Sequence, residues 1–545
     1  MMFPTDELDL ATNSQETAIM SAFSQLAPAP AILAQRAAEL GDAPRFLIRD
    51  GEHWQPVSWR SFEDQVRRIA GFLLFQGVEP GDRVGVFAEN SVAMAAAIIA
   101  IQRARAVMVP IYPTSPVEQV RYVVEHAGAR VVFCDSNSAH RCHAPVKPSL
   151  DESGELPLSG ILEIGAAHAE AADAALAQVG PDDVGLMLYT SGTSGPPKGV
   201  PLTHANVGSN GADWLQANEP LLHDQAVDIL WLPMSHIYGT GEMCMGNLLG
   251  WTTYMSNPMQ VLDDIPSIRP TVFFSVPAYW EKLAQSAMTA PAGERSARLA
   301  ETTGGRLRFC LSGGAGLKRE IKELFHEADI LIIEGYGLTE CSPTLTLNRA
   351  DDFRFDSVGK PLARVELRLA DDGEILARGP NVFAGYFRDD QATRDAFEDG
   401  WFKTGDIGRM TPDGFLRIID RKKDILVTAG GKNIAPTNIE QRFADHPLIQ
   451  QLIVYGDARH FLVACVWPTE AGIKLPPERL RAEIDAAIRQ VNGEVDRSET
   501  IKRFAIIDKP LSVELGHLTA SLKLRRKQVY DAFQAQFDAL YRDPD

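Results

Sequence analysis

Cysteine is scarce in this chain, six in 545 residues, and no two form a C-x-x-C pair. That excludes a disulfide-stapled scaffold and fits a reducing compartment. No apolar segment follows the first residues, which instead carry Asp6, Glu7 and Asp9, so no signal peptide is visible. The longest apolar run, Val92 to Ile101, is too short for a bilayer and ends in Gln102 and Arg103. Positive charge is in deficit: 53 Lys and Arg against 72 Asp and Glu leave a net charge of −19. A nucleic-acid partner needs a basic face and is therefore not expected, whereas a local positive pocket for a small anion remains open. A soluble, cytoplasmic protein without a transmembrane segment is the expectation. Nothing in the sequence reports its oligomeric state.

What is present is ordinary globular composition, 45% apolar and 23% charged, in a chain too long for one core. Residues 1–30 read as an N-terminal extension, dispensable to about Met20, which is itself a possible second start. Between Arg83 and Cys134, strands at Val84 to Phe87, Ala106 to Tyr112 and Arg130 to Cys134 alternate with helices at Ala93 to Ala104 and Val117 to Gly128. Such alternation predicts parallel β-α-β units. Asp135 to Asp182 reads as an irregular excursion. His140, Cys142 and His143 lie in it, with Cys134 at its edge, and their spacing fits no zinc pattern. After Asp351, short strands with Asp-Gly turns at 372–373 and 413–414 predict a small antiparallel module. The charged stretch Asp420 to Asp424 marks a domain boundary.

The most informative segment is Tyr189-Thr190-Ser191-Gly192-Thr193-Ser194-Gly195-Pro196-Pro197-Lys198. An apolar strand, Val184 to Leu188, leads into it, and Thr203 is set to cap a helix running to about Trp214. Glycines admit backbone N–H groups to phosphate oxygens, hydroxyls add donors, and a lysine adds charge. Pro197 stands where a Walker A loop would need glycine, which disfavours an ordinary P-loop enzyme. A second segment, Glu334-Gly335-Tyr336-Gly337-Leu338-Thr339-Glu340, follows a strand placed at Ile330 to Ile333. It offers an aromatic for a base, a hydroxyl for phosphate and a carboxylate for Mg²⁺. Ser312-Gly313-Gly314-Ala315-Gly316-Leu317 reads as a strand-to-helix turn, after Leu307 to Leu311 and before a helix from Lys318 to Ala328. Asp406 and Arg421 have the chemistry to hold a ribose between carboxylate and guanidinium. His236 stands alone in an apolar setting, and Lys523 lies in a basic run near the C-terminus.

These motifs, in this order from about Leu33 to Tyr541, resemble those of the adenylate-forming superfamily: acyl-CoA synthetases, luciferase-like ligases and peptide-synthetase adenylation domains. The resemblance implies an α/β fold. A large N-terminal domain (31–422) would combine mixed parallel sheets flanked by helices with a β-barrel-like module. A small mobile α+β domain (423–545) would turn on a hinge at Lys423. It further implies phosphate contacts at Thr190, Ser191, Gly192, Thr193, Ser194, Gly195 and Lys198. Adenine contacts would come from Gly314, Ala315, Gly316, Glu334, Gly335, Tyr336 and Gly337. Thr339 would meet the α-phosphate, Glu340 Mg²⁺, and Asp406 with Arg421 the ribose. His236 would sit by the acid's carboxylate, Lys432 near coenzyme A, and Lys523 at the reacting oxygens, so that Lys523, Lys198, Thr339 and Glu340 form the catalytic set. Gly316, where many relatives have proline, and Ala520, in place of another proline, depart from the pattern.

Val276-Pro-Ala-Tyr-Trp-Glu281-Lys282, Gly431-Lys-Asn-Ile-Ala-Pro436 and Leu522 before Lys523 are similar to the long-chain fatty acyl-CoA synthetase branch. The implied activity joins a fatty acid to coenzyme A with ATP and Mg²⁺. One alternative is an acyl-AMP ligase loading an acyl carrier protein, although the insertion such enzymes carry is not found between Asp406 and Gly430. Another is a non-catalytic nucleotide-binding scaffold, against which the intact set of Lys198, Glu340, Asp406, Arg421 and Lys523 argues.

Overall fold

A computed structural model describes residues 26–190, 196–222, 226–519 and 523–542. Met20 and the phosphate-loop residues Ser191, Gly192, Thr193, Ser194 and Gly195 lie outside the described residues, as do Ala520 and Leu522.

Four parallel strands, in the order Val131–Cys134, Arg83–Phe87, Val107–Pro110 and Val184–Thr190, form the first sheet. Each is short, and all but the last are apolar on both faces, as parallel strands covered by helices must be. Helix Val92–Arg103, buried from Ala93 onward, crosses between two of them after Ser91 caps it. The expected alternation is thus observed. A second sheet orders His53–Ser58, Pro44–Asp50, Thr252–Met255 and Val227–Leu230. A third runs Val272–Ser275, Phe309–Ser312 and Ile332–Gly337 in parallel, then Thr344–Leu347 and Lys360–Pro361 antiparallel.

The antiparallel module after Asp351 joins Glu366–Leu369, Glu374–Arg378, Trp401–Met410 and Phe397–Glu398, with Leu416–Arg421 also paired to Trp401–Met410. A large buried cluster extends as far as Phe402 and the next begins at Leu426. Beyond that gap, Ile449–Tyr455, Leu462–Pro468 and Ile501–Ile506 form a three-stranded sheet with an apolar cluster on each face.

Three sequence expectations need correction. The segment ending at Lys198, read from the sequence as a phosphate loop, does not pass directly into a helix. Lys198–Thr203 is a strand returning antiparallel to Val184–Thr190, with Thr190 opposite Lys198, and helix His204–Asn218 starts only after it. Pro201 is tolerated because this strand is the edge of its sheet. Glu334 to Gly337 is not a loop after a strand but the strand's own end. The excursion holds two helices, Leu158–Ala166 and Ala169–Leu176, laid against helix Trp59–Phe75. The approach is close enough to require glycine: a Cβ on Gly165 would stand 1.8 Å from the Arg68 carbonyl oxygen.

Candidate active site

The candidate residues gather at the carboxyl ends of the third sheet's parallel strands, where α/β proteins bind ligands. Strand Ile332–Gly337 runs into a 3₁₀ turn, Thr339–Cys341, that presents Thr339 and Glu340. The turn folds back so tightly that a Cβ on Gly337 would lie 1.8 Å from the Pro343 carbonyl oxygen, which excludes any other residue. The segment 380–387 clasps it. The Phe383 amide donates to the Glu340 carbonyl at 2.8 Å, and the Asn381 carboxamide donates to the Cys341 carbonyl at 2.8 Å.

Glu340 is buried, and its Oε1 accepts from the Tyr386 hydroxyl at 3.0 Å. The same Tyr386 ring lies 4.8 Å from the Lys198 ammonium. Tyr386 therefore joins Lys198 to the carboxylate of the other motif. No sequence motif pointed to it; the only signal was an aromatic beside Gly385. The Phe387 amide fixes this segment by donating to the Gly199 carbonyl at 2.9 Å.

Asp406 and Arg421 face each other across neighbouring strands, Nε to Oδ1 at 2.9 Å, and Asp406 Oδ2 accepts from the Tyr336 hydroxyl at 2.6 Å. Asp406 is buried and Arg421 half exposed, so the carboxylate is fixed while the guanidinium keeps donors free. Burial raises both Asp406 and Glu340 above the usual carboxylate range, and Arg421 opposes the shift in each.

Lys423, in the turn after Arg421, is held below the usual lysine range by burial, then by Arg421 and Lys198. The Lys523 amide donates to Thr519 Oγ1 at 3.0 Å. The residue is exposed as a whole, and its charge is coupled to Arg421 and Asp406. Burial first, and Arg421 next, depress its pKa, while Asp406 acts in the opposite sense. His236 faces the same group: burial and then Lys523 lower it to about 4, leaving a neutral ring. Its Nδ1 accepts from the Tyr238 amide at 3.1 Å and caps helix Ile237–Leu249.

Two candidates stand elsewhere. Glu334 is consumed within the fold. Its carboxylate pairs with Lys322, both 4% exposed, and accepts from the Leu317 amide at 2.8 Å. Its work is to hold the loop carrying Gly314, Ala315 and Gly316, with Gly314 at φ +84°. Lys322→Met strands that carboxylate, and an unfolding free energy lower by about 3–5 kcal/mol is expected in urea titrations. Adding Glu334→Leu restores most of the loss; equal stability of Lys322→Met and the parent would contradict this reading. Lys432, beside Gly431 in a hairpin, is exposed on the C-terminal domain, and its charge helps to lower the Asp496 pKa.

Comparison with known proteins agrees with this geometry. Residues 33–387 match the family model of the AMP-binding enzymes, and 423–545 match that of the AMP-binding enzyme C-terminal domain. The chain is 34% identical to the long-chain-fatty-acid–CoA ligase FadD15 of Mycobacterium bovis, over 90% of this chain and 92% of that one. Among solved structures, ATP-bound MatB of Rhodopseudomonas palustris superposes with a TM-score of 0.73 at 25% identity, covering 93% and 99% of the two chains. The o-succinylbenzoate CoA synthetase of Bacillus subtilis, in complex with ATP and a magnesium ion, shares the fold at a TM-score of 0.71 and 22% identity, covering 92% and 99%.

Proposed function

The chain belongs to the AMP-binding enzymes, and on that premise we propose that it activates a fatty acid with ATP and passes the acyl group to coenzyme A. Lys198, Arg421, Lys423 and Lys523 converge on Asp406 and Glu340, and that convergence carries the reading. In a protein of net charge −19, such a cluster concentrates positive field where a polyphosphate is to bind.

In the first half-reaction a carboxylate oxygen attacks the α-phosphorus of ATP, and the bond to the pyrophosphate oxygen breaks, giving acyl-AMP and pyrophosphate. Two anions must meet, so the enzyme's contribution is positioning and charge neutralisation. Lys523 would sit over the oxygens of carboxylate and α-phosphate, Lys198 over the departing phosphates, and Thr339 would donate to the α-phosphate. Asp406 and Arg421 would hold the ribose, with Tyr336 orienting Asp406 and flanking adenine. Gly314, Ala315, Gly316, Gly335 and Gly337 would line the base. The neutral His236 ring would meet the acid's carboxylate without proton transfer. Glu340 fits Mg²⁺, since a carboxylate offers about four lone-pair positions and Tyr386 occupies one. Bound there, the ion would neutralise phosphate charge.

In the second half-reaction the thiolate sulfur attacks the acyl carbon and AMP leaves. Turning 423–545 about Lys423 would withdraw Lys523 and carry Lys432 toward the thiol's path. Lys423 suits a pivot because it lies in the gap between the buried clusters that end at Phe402 and begin at Leu426.

The sequence relatives support a long-chain acid and coenzyme A over a carrier protein. The six cysteines are free, which supports a cytoplasmic location, and no helix among the described residues is long and apolar enough to cross a membrane. The test is AMP release with Mg·ATP and acids from acetate to eicosanoate, with and without coenzyme A. Coenzyme A-dependent turnover confined to long chains is expected; acid-dependent pyrophosphate exchange without thioester formation would favour the carrier-protein alternative.

A pH dependence follows from Lys523. Its pKa lies below the ordinary 10.5, so its charge is lost as pH rises through the lowered value. kcat/KM for adenylation, which reports the free enzyme, therefore falls on the alkaline side before 10.5. In Lys523→Arg the guanidinium stays charged, and the residual rate lacks that fall. A limb unchanged in this variant would assign the titration to another group.

A further inference from the structure

One cavity leads away from the cleft. It begins at Ser342, Pro343 and Thr344, just past Glu340, and Tyr238 lines it with its ring backed against Gly313. It then follows helix Ile237–Leu249 as far as Leu248, about 16 Å along the helix axis at 1.5 Å per residue. Val207, Trp214, Phe274 and Met245 make its walls largely apolar. If the ligase reading holds, on which this inference rests, this is where the acyl chain lies.

Two polar groups in the wall do not suit a plain alkyl chain. Glu242 is 1% exposed, and neither of its oxygens has a partner apart from the adjacent carboxyl of Asp228. No cation reaches it among the described residues. The Arg45 guanidinium is spent on Asn247, Thr253 and the Met243 carbonyl, and only Thr253 relays it to Asp228 Oδ2, at 3.1 Å. Burial lifts Asp228 to about 6 and Glu242 well above the usual carboxylate range, and the two adjacent carboxyls share a hydrogen bond. Gln102, 3% exposed, lines the same cavity, and its carboxamide makes no hydrogen bond among the described residues.

We propose that the pocket is built for a fatty acid bearing a hydrogen-bonding substituent on its chain, a hydroxyl or an oxo group, met by Glu242 and Gln102. A buried polar group costs stability unless it is paired, and a plain alkyl chain would leave the Gln102 carboxamide unpaired and Glu242 with Asp228 alone. A site built to hydrogen-bond a substrate group rejects the analogue that lacks it far more strongly than an apolar pocket rejects a methylene.

The experiment compares kcat/KM for hexadecanoic acid with its positional monohydroxy isomers, reading AMP release. At least one isomer is expected to exceed the parent acid by about tenfold or more. Glu242→Leu and Gln102→Leu should each erase most of that preference, read as the ratio of the two kcat/KM values, and Glu242→Gln should keep it. Gln102→Leu stands as the independent test if Glu242→Leu disturbs folding beside Asp228. The proposal is overturned if no isomer exceeds the parent acid, or if Gln102→Leu slows both substrates alike. Absence of AMP release with every acid would instead overturn the ligase reading itself.

Discussion

Replacing Lys523 with alanine lowers acid-dependent exchange of pyrophosphate into ATP by roughly 10²–10⁴, equivalent to about 2.7–5.4 kcal/mol of barrier. Thioester formation from supplied acyl-AMP stays near the parent rate. The split follows from where Lys523 stands. Its ammonium lies with Arg421, Asp406 and His236, among groups proposed for nucleotide and acid, yet it is carried by the C-terminal domain. A cation preorganised in a desolvated cleft lowers the barrier only while charge builds between carboxylate and phosphate. Once acyl-AMP exists, the thiolate needs no such neutralisation, and the proposed rotation removes the lysine. Measuring the half-reactions separately decides the matter: an equal loss in both would make Lys523 structural.

Glu340→Gln gives the second large effect, a fall in adenylation of about 10²–10³ at saturating ATP, partly recovered at high Mg²⁺. Glutamine keeps the shape and still accepts from Tyr386, whose hydroxyl stands 3.0 Å from Oε1, so the turn and its clasp by 380–387 remain. What is lost is the negative charge that a hard divalent cation requires. Thermal unfolding separates this from a folding defect: the melting temperature should stay within a few degrees of the parent, as expected for ~1 kcal/mol or less in a chain of this size. Adenylation at the parent level, with the same Mg²⁺ dependence, would remove Glu340 from the metal site.

The parallel strands were legible because Val84 to Phe87 and Arg130 to Cys134 are short apolar runs between helical periods. Strand Lys198–Thr203 was not, because Gly199 and Pro201 argue locally against a strand. Pairing with Val184–Thr190 at a sheet edge overrides that preference. The helices of 158–176 escaped notice because alanine and glycine dilute their periodicity, and their packing depends on Gly165 reaching the Arg68 carbonyl. The site divides in the same way. Lys198, Glu340, Asp406 and Arg421 lie in contiguous motifs whose residue types declare their chemistry. Tyr386, bridging Lys198 to Glu340, and Lys322, which occupies Glu334, act only through contacts between distant segments. Such contacts leave no spacing for a single sequence to display.

A single-turnover experiment with [α-³²P]ATP and hexadecanoate, first without and then with coenzyme A, tests the central claim most directly. Formation of acyl-AMP without coenzyme A, followed by its conversion to AMP and acyl-CoA on addition of the thiol, is the expected course. Release of labelled ADP, or no labelled acyl-AMP with any acid of the panel, would contradict it.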